Sequence, residues 1–155
     1  MSDGDHVSEP GVGVAVADAV VSVRVNVEPR RVWAEFCEAE ALQTWFWPAR
    51  FETAAASDPV VGGAWSVRSA PMAMGAAGRY LVVDRPRFLR MSWAWDGEAE
   101  VSTVTIALEP AGKASDGAGG TIVTVRHSGH SNEVARANHE RGWRDCLARL
   151  SGRHR

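Results

Sequence analysis

The chain lacks most of the features that would place it at once. Of its 155 residues only two are cysteine, Cys37 and Cys146, far apart and without C-x-x-C or metal-ligand spacing. They read as free thiols in a reducing compartment, which points to a cytoplasmic address, and no disulfide framework or metal site is expected. Neither charge sign dominates: 17 Lys and Arg face 19 Asp and Glu, a net charge of −2. That balance argues against duplex nucleic acid or an anionic membrane as the main partner. No run approaches 18 consecutive apolar residues, and the start, MSDGDHVSEPG, is acidic and polar. Neither a membrane span nor a secretory signal is expected. G-x-S-x-G, P-loop and Rossmann patterns are missing, so no linear catalytic motif appears and no cofactor is implied.

Tyrosine is also scarce, with one against four phenylalanines, whereas tryptophan occurs seven times. Tryptophan combines the largest apolar body with one N–H that wants a partner, which suits the wide walls of a cavity or a bulky core. The length fits one domain, which at this size buries roughly 70% of the surface its unfolded chain exposes. The pattern divides the chain into a tail over 1–17, a folded domain over 18–151 and a short tail over 152–155.

Val21, Val23, Val25 and Val27 alternate with Ser22, Arg24 and Asn26, the period of a half-buried strand starting near Ala19. Pro29 opens a short helix to Cys37, and a second, about Ala39 to Trp45, turns Leu42, Trp45 and Phe46 inward before Pro48. Short alternating runs then predict strands at 51–57, 64–69, 78–84, 88–95, 101–108 and 121–127, separated by turn residues and by a loop over 111–120. A helix over 132–150 closes the domain, with Ser131 as its expected N-cap and an apolar stripe of Val134, Ala137, Trp143, Leu147 and Leu150. The expected class is α+β, a seven-stranded antiparallel sheet curled around a long C-terminal helix, with two short helices between strands 1 and 2.

The segments EPRRVWAEF, EALQTWFWP, VGGAW, RFLRMSWAW, VTIALEP, GTIVTVRHSG and HERGWRDCLARL, in this order and spacing, resemble the heat-shock-protein-90 ATPase activator homologue family. That family belongs to the START-like, or SRPBCC, superfamily, and the resemblance spans residues 20–150. It implies a helix-grip fold with a deep, mostly apolar pocket between the sheet and the last helix. Stand-alone members resemble small-molecule binders, resistance proteins or enzymes more than co-chaperones.

Parity selects the lining of such a pocket. Met91, Trp93 and Trp95 share one face of their strand, Ile106 and Val125 lie on inward faces of theirs, and His127 ends the last strand. Trp65 and Tyr80 complete the sheet side, and Trp45 belongs to the short helices. His139, Trp143 and Leu147 follow each other at intervals of four on the last helix. In APMAMGAAG, Met72 and Met74 sit among small residues and read as a gate over the mouth. His127, His130 and His139 lack the spacing of a helical metal pair, and His127 or His139 reads instead as a polar anchor. Gly142, in the helix interior, asks for a close approach of backbone, strand or ligand.

The expected function is binding of a small hydrophobic or aromatic molecule by a carrier, sensor or resistance-type protein, as a monomer or homodimer. Two alternatives stand beside it: a chaperone-associated protein that stimulates a heat-shock-protein-90-type ATPase, and a cyclase- or hydrolase-like enzyme using His127 or His139.

Overall fold

The structure, a computed structural model, describes residues 15–113 and 119–155. Most of the expected N-terminal tail and the tip of the expected 111–120 loop lie outside the described residues. The elements run β1 (Ala19–Val25), α1 (Pro29–Cys37), α2 (Ala39–Trp45), a 3-10 turn (Ala49–Phe51), β2 (Ala54–Ser57), β3 (Ala64–Ser69), β4 (Met74–Asp84), β5 (Phe88–Trp95), β6 (Ser102–Lys113), β7 (Gly119–Ser128) and α3 (Glu133–Gly152). The seven strands form one antiparallel sheet in the order β1-β7-β6-β5-β4-β3-β2. This is the α+β helix-grip architecture that the sequence predicts.

Alternation explains how the sheet closes over the helices. Register pairs Val21 with Val125, Val125 with Ile106 and Ile106 with Leu89, so one row of aliphatic side chains crosses four strands on the same face. All four are buried, as are Trp143, Cys146, Leu147 and Leu150 of α3 opposite them. Within α3 the stripe that packs is His139, Trp143, Leu147 and Leu150, not the one that begins at Val134. Val134 is 70% exposed. Five residues before His139, it lies about 140° round the helix from that stripe.

Several boundaries differ from the sequence reading for local reasons. Residue 51 belongs to the 3-10 turn that follows Pro48, and Glu52 takes a left-handed φ of 50°, so β2 starts only at Ala54. The connection before β4 shrinks to Ala70–Ala73, closed by the Ala73 N–H on the Ala70 carbonyl at 3.1 Å, and β4 starts at Met74. β6 runs on to Lys113, past a bulge between Pro110 and Gly112, where Gly112 supplies the positive φ of 75°. Asn132, rather than Ser131, caps α3: its backbone is extended and its Oδ1 accepts the Ala135 N–H at 2.9 Å.

The expected C-terminal tail over 152–155 is docked. Glu35 of α1 is only 5% exposed, and its carboxylate accepts from Arg153 at 3.2 and 3.3 Å and pairs with His154. At the other end of the α1–α2 unit, Arg149 donates to the carbonyls of Trp45 and Phe46 at 2.9 and 2.7 Å, capping α2 where its backbone carbonyls run out of helical partners. Together, these contacts fix the two short helices against α3.

One glycine is dictated by a close approach. Trp65 lies across Gly78, its register partner, and donates its indole N–H to the Ser92 carbonyl at 3.0 Å. A Cβ on Gly78 would sit 1.9 Å from that oxygen and 2.8 Å from the indole nitrogen. Gly78→Ala is therefore expected to destabilise the protein by about 2–3 kcal/mol, measured by urea unfolding, because backbone must move to admit it. An unchanged urea midpoint would show that β4 and β5 can part there without cost.

Candidate functional site

Three elements end at one corner of the sheet. β5 brings Trp93 and Trp95, the end of β7 brings His127 and the turn after it His130, and the second and third turns of α3 bring His139 and Trp143. Trp93 is the hub: its ring centroid lies 5.2 Å from those of Trp65 and Trp95, 5.4 Å from His127 and 5.8 Å from Trp143. Edge-to-face and tilted pairs of this kind each add about 0.5–1.5 kcal/mol beyond area burial.

The hydrogen bonds in this cluster determine every tautomer, because an indole N–H can only donate. Trp143 donates to His127 Nδ1 at 3.0 Å, so His127 carries its proton on Nε2 and donates it to Ser102 Oγ at 2.7 Å. Ser102 in turn donates to the Trp93 carbonyl at 3.4 Å. Trp95 donates to His139 Nε2 at 3.1 Å, so His139 carries its proton on Nδ1 and donates to His130 Nδ1 at 3.1 Å. His130 then donates from Nε2 to the His127 carbonyl at 2.9 Å. Two directed chains thus start at tryptophans, pass through neutral imidazoles and end on backbone carbonyls. Burial, with the neighbouring His139 and His130, pushes the His127 pKa down to about 2. Burial and His130 push His139 down to about 4, partly opposed by Glu100. The neutral forms that the hydrogen bonds require are the forms that the environment favours.

The sequence spacing gave no metal pair among the three histidines, yet their ring nitrogens lie within 4.8 Å of one another. The arrangement serves the hydrogen-bond chains and does not fit an ion. His127 and His139 stack with centroids 4.2 Å apart and planes 13° from parallel, so their in-plane lone pairs cannot converge on one point. An ion on His139 Nδ1 would also move the ring proton to Nε2, facing the Trp95 N–H donor. His127 is fully buried with both nitrogens engaged, so in this arrangement it has no free atom to offer a substrate.

Beside the cluster a cleft of about 600 Å³ opens between α3, the 46–51 segment and the end of β5. Its walls are Phe46, Trp47, Phe51, Met74, Trp93, Trp95 and Trp143, with His139 and Gly142 on the helix side. Glu98, Glu100, Asp145, Arg50 and Arg149 are the charged residues of its lining. A Cβ built on Gly142 meets nothing within 4 Å, so no strand or backbone approach explains this glycine; it leaves space in the cleft. Deeper in, where the resemblance implied an enclosed pocket, the room is taken by side chains. Phe36, Leu42 and Phe46 from the short helices meet Trp65, Tyr80, Met91, Ile106 and Trp143, leaving about 20 Å³. That is about one water's room in a lining with few polar groups to hold it.

Residues 26–154 match the family described as "Activator of Hsp90 ATPase homolog 1-like protein". The chain belongs to that family. No curated protein matches it. Among solved structures, protein CV1439 from Chromobacterium violaceum is 23% identical, with 88% of this chain and 97% of that one covered and a TM-score of 0.70. PFC0360w, an HSP90 activator from Plasmodium falciparum, is 17% identical over 88% and 94% at 0.69. The solution structure of the Aha1 dimer from Colwellia psychrerythraea is 15% identical over 90% and 96% at 0.70. At these identities the likeness shows the fold.

Within this member of the Hsp90-activator-homologue family, the sequence-selected residues divide. Met74, Trp93, Trp95, His139 and Trp143 line the cleft. Trp65, Tyr80, Met91 and Ile106 line the 20 Å³ void in the core and not the cleft. Tyr80 hydrogen-bonds Ser57 at 2.8 Å, and burial pushes its hydroxyl up to about 12. Trp45, Val125 and Leu147 are at most 1% exposed core, with the Trp45 N–H on the Glu35 carbonyl at 3.2 Å. His127 stands behind the cleft rather than in it. Met72 corrects the gate reading: it is 45% exposed in the Ala70–Ala73 turn, because β4 begins two residues later and only Met74 reaches the rim. Sequence reasoning missed Trp47, Phe51 and the charged lining residues Glu98, Glu100, Arg50 and Arg149. For all but Arg149 the only signal was proximity in the chain to Pro48 or to Trp95, and Arg149 carried none beyond its place in the last turn of α3.

Proposed function

We propose that the chain binds a small, flat, largely apolar molecule in the cleft beside α3, as a carrier, sensor or resistance-type protein. The carrying observation is an aromatic-walled cleft of about 600 Å³ with an interior-helix glycine whose missing side chain nothing in the protein replaces. That volume is in the range of small-molecule sites, roughly 300–1,000 Å³. A glycine there costs about 1 kcal/mol of helix stability relative to alanine, and clearance for a ligand is what it provides. The two free cysteines are buried and their thiols are pushed up to about 12 by burial, which supports a structural role in a reducing, cytoplasmic setting. No helix among the described residues is long and apolar enough to cross a membrane.

Gly142→Leu tests this reading. Titration of N-phenyl-1-naphthylamine, followed through tryptophan fluorescence, should saturate in the wild type and weaken at least tenfold in the variant. The variant's Tm should hold or rise by a few degrees, since leucine is the better helix former. Equal affinity in both proteins sinks the cleft as the site. A second reading, stimulation of an Hsp90-type ATPase, is favoured by family membership and by the fold shared with the Plasmodium activator. A chaperone ATPase rate that stays flat at saturating protein rejects it.

A further inference from the structure

Resting on the cleft as a binding site, we infer that Trp95 and His139 form one flat aromatic surface on which a fused-ring ligand stacks, and that His139 is the residue that positions the indole. The Trp95 N–H lies in the plane of its own ring and donates to His139 Nε2 at 3.1 Å. The two ring planes are 19° from parallel, with centroids 5.9 Å apart. An acceptor in that direction, on a ring so nearly parallel, sits beside the indole rather than over it. Indole and imidazole together therefore make a plate broader than either side chain alone.

What covers the rest of the plate shows which side is open. His127 stacks on one face of the His139 ring with centroids 4.2 Å apart, Trp95 occupies Nε2 and His130 occupies Nδ1. Trp95 and His139 line the cleft, whereas His127 and His130 do not. The cleft thus meets the imidazole on the side away from His127. Phe46, Trp47, Trp93 and Trp143 also line the cleft but are buried, whereas Trp95 and His139 are only half-buried and have ring surface to give. Gly142 follows His139 by three positions on the same side of α3, and a Cβ there would meet nothing within 4 Å, so the helix leaves the approach to the plate clear. A flat aromatic surface selects planar π-systems by shape and is tolerant of their substituents. An indole deprived of its acceptor would have to be ordered again by the ligand, which is the cost that His139 removes in advance.

The test titrates 1-pyrenemethanol, a neutral fused-ring probe, into the wild type, His139→Gln and His139→Leu. Glutamine can accept from Trp95 and donate to His130, and should bind within about threefold of the wild type, whereas leucine, which fills space but offers no acceptor, should bind about tenfold more weakly. In the wild type the ring C–H resonances of Trp95 and His139 should move upfield on binding, while the Trp95 N–H keeps its hydrogen-bonded position. An apolar but compact molecule, 1-adamantanemethanol, should not displace the probe. Binding without the upfield shifts, equal affinities of the Gln and Leu variants, displacement by the adamantane, or failure of the probe with a wild type that binds N-phenyl-1-naphthylamine overturns the inference and leaves the cleft a binding site. If neither arene binds the wild type, the proposed function falls with it.

Discussion

His127→Ala should cost about 3–5 kcal/mol, lowering Tm by roughly 10 °C or more. The ring is fully buried, so its removal leaves a cavity amid Trp93, Trp143 and His139. It also strips the Trp143 N–H of its acceptor and Ser102 Oγ of its donor, and an abandoned buried polar group carries a desolvation penalty of about 1–3 kcal/mol. His127→Gln separates the two contributions, because an amide can accept from Trp143 and donate to Ser102 while filling less space. A loss for Gln as large as for Ala would assign the effect to packing and discount the hydrogen-bond chain.

The same residues make the protein acid-sensitive, with a sign fixed by the direction of the shifts. Well above pH 6.5 His127 and His139 are neutral in both folded and unfolded chains, and these two contribute no pH dependence. Below it the unfolded chain takes up protons that native His127 and His139, lowered to about 2 and 4, refuse. Stability should therefore fall as pH drops from 6.5 towards 4, with a limiting linkage of about two protons, and below 4 with about one. His139 is only partly buried, so its share is the smaller in energy. Urea unfolding at intervals from pH 7.5 to 4.5 measures the slope, which His127→Gln should reduce by one proton. A wild-type slope near zero would mean that the imidazoles are charged or solvated in the native state.

What was legible in the sequence follows the reach of each signal. Alternation of Val21 to Val25, or of Met91 and Trp93, is local and fixes which face is buried, so the sheet and its inner row could be read directly. The spacing His139, Trp143, Leu147 likewise gave the correct packed stripe of α3. The cleft was harder, since whether Trp65 or Trp95 borders open space depends on how far Phe36, Leu42 and Phe46 penetrate between sheet and helix. That depth is set by Arg149 and Arg153 holding the short helices, contacts across more than one hundred residues with no local pattern. The histidines show the same limit: intervals of three and nine say nothing until β7, its turn and α3 meet at one corner. Gly142 was readable as an anomaly, but only the surrounding space decides between a tight approach and an opening.

Deleting Arg153–Arg155 should be as damaging as losing His127, although only three terminal residues go. Glu35 sits on the buried side of α1, and its carboxylate is matched by Arg153 and His154. Without them a nearly buried charge remains with no counter-ion, a change that typically costs about 3–5 kcal/mol because the desolvation is no longer offset. α1 would then be expected to loosen from α3, and with it Phe36 and the aromatic floor beside the cleft. The compensating change discriminates this account from simple fraying of α3: Glu35→Gln in the shortened chain removes the stranded charge and should recover more than half of the lost stability. The same substitution in the untruncated 155-residue chain should instead destabilise, leaving Arg153 without its carboxylate. If Glu35→Gln gives the same Tm change in both backgrounds, the two ends are not coupled, and the clamp contributes nothing beyond helix length.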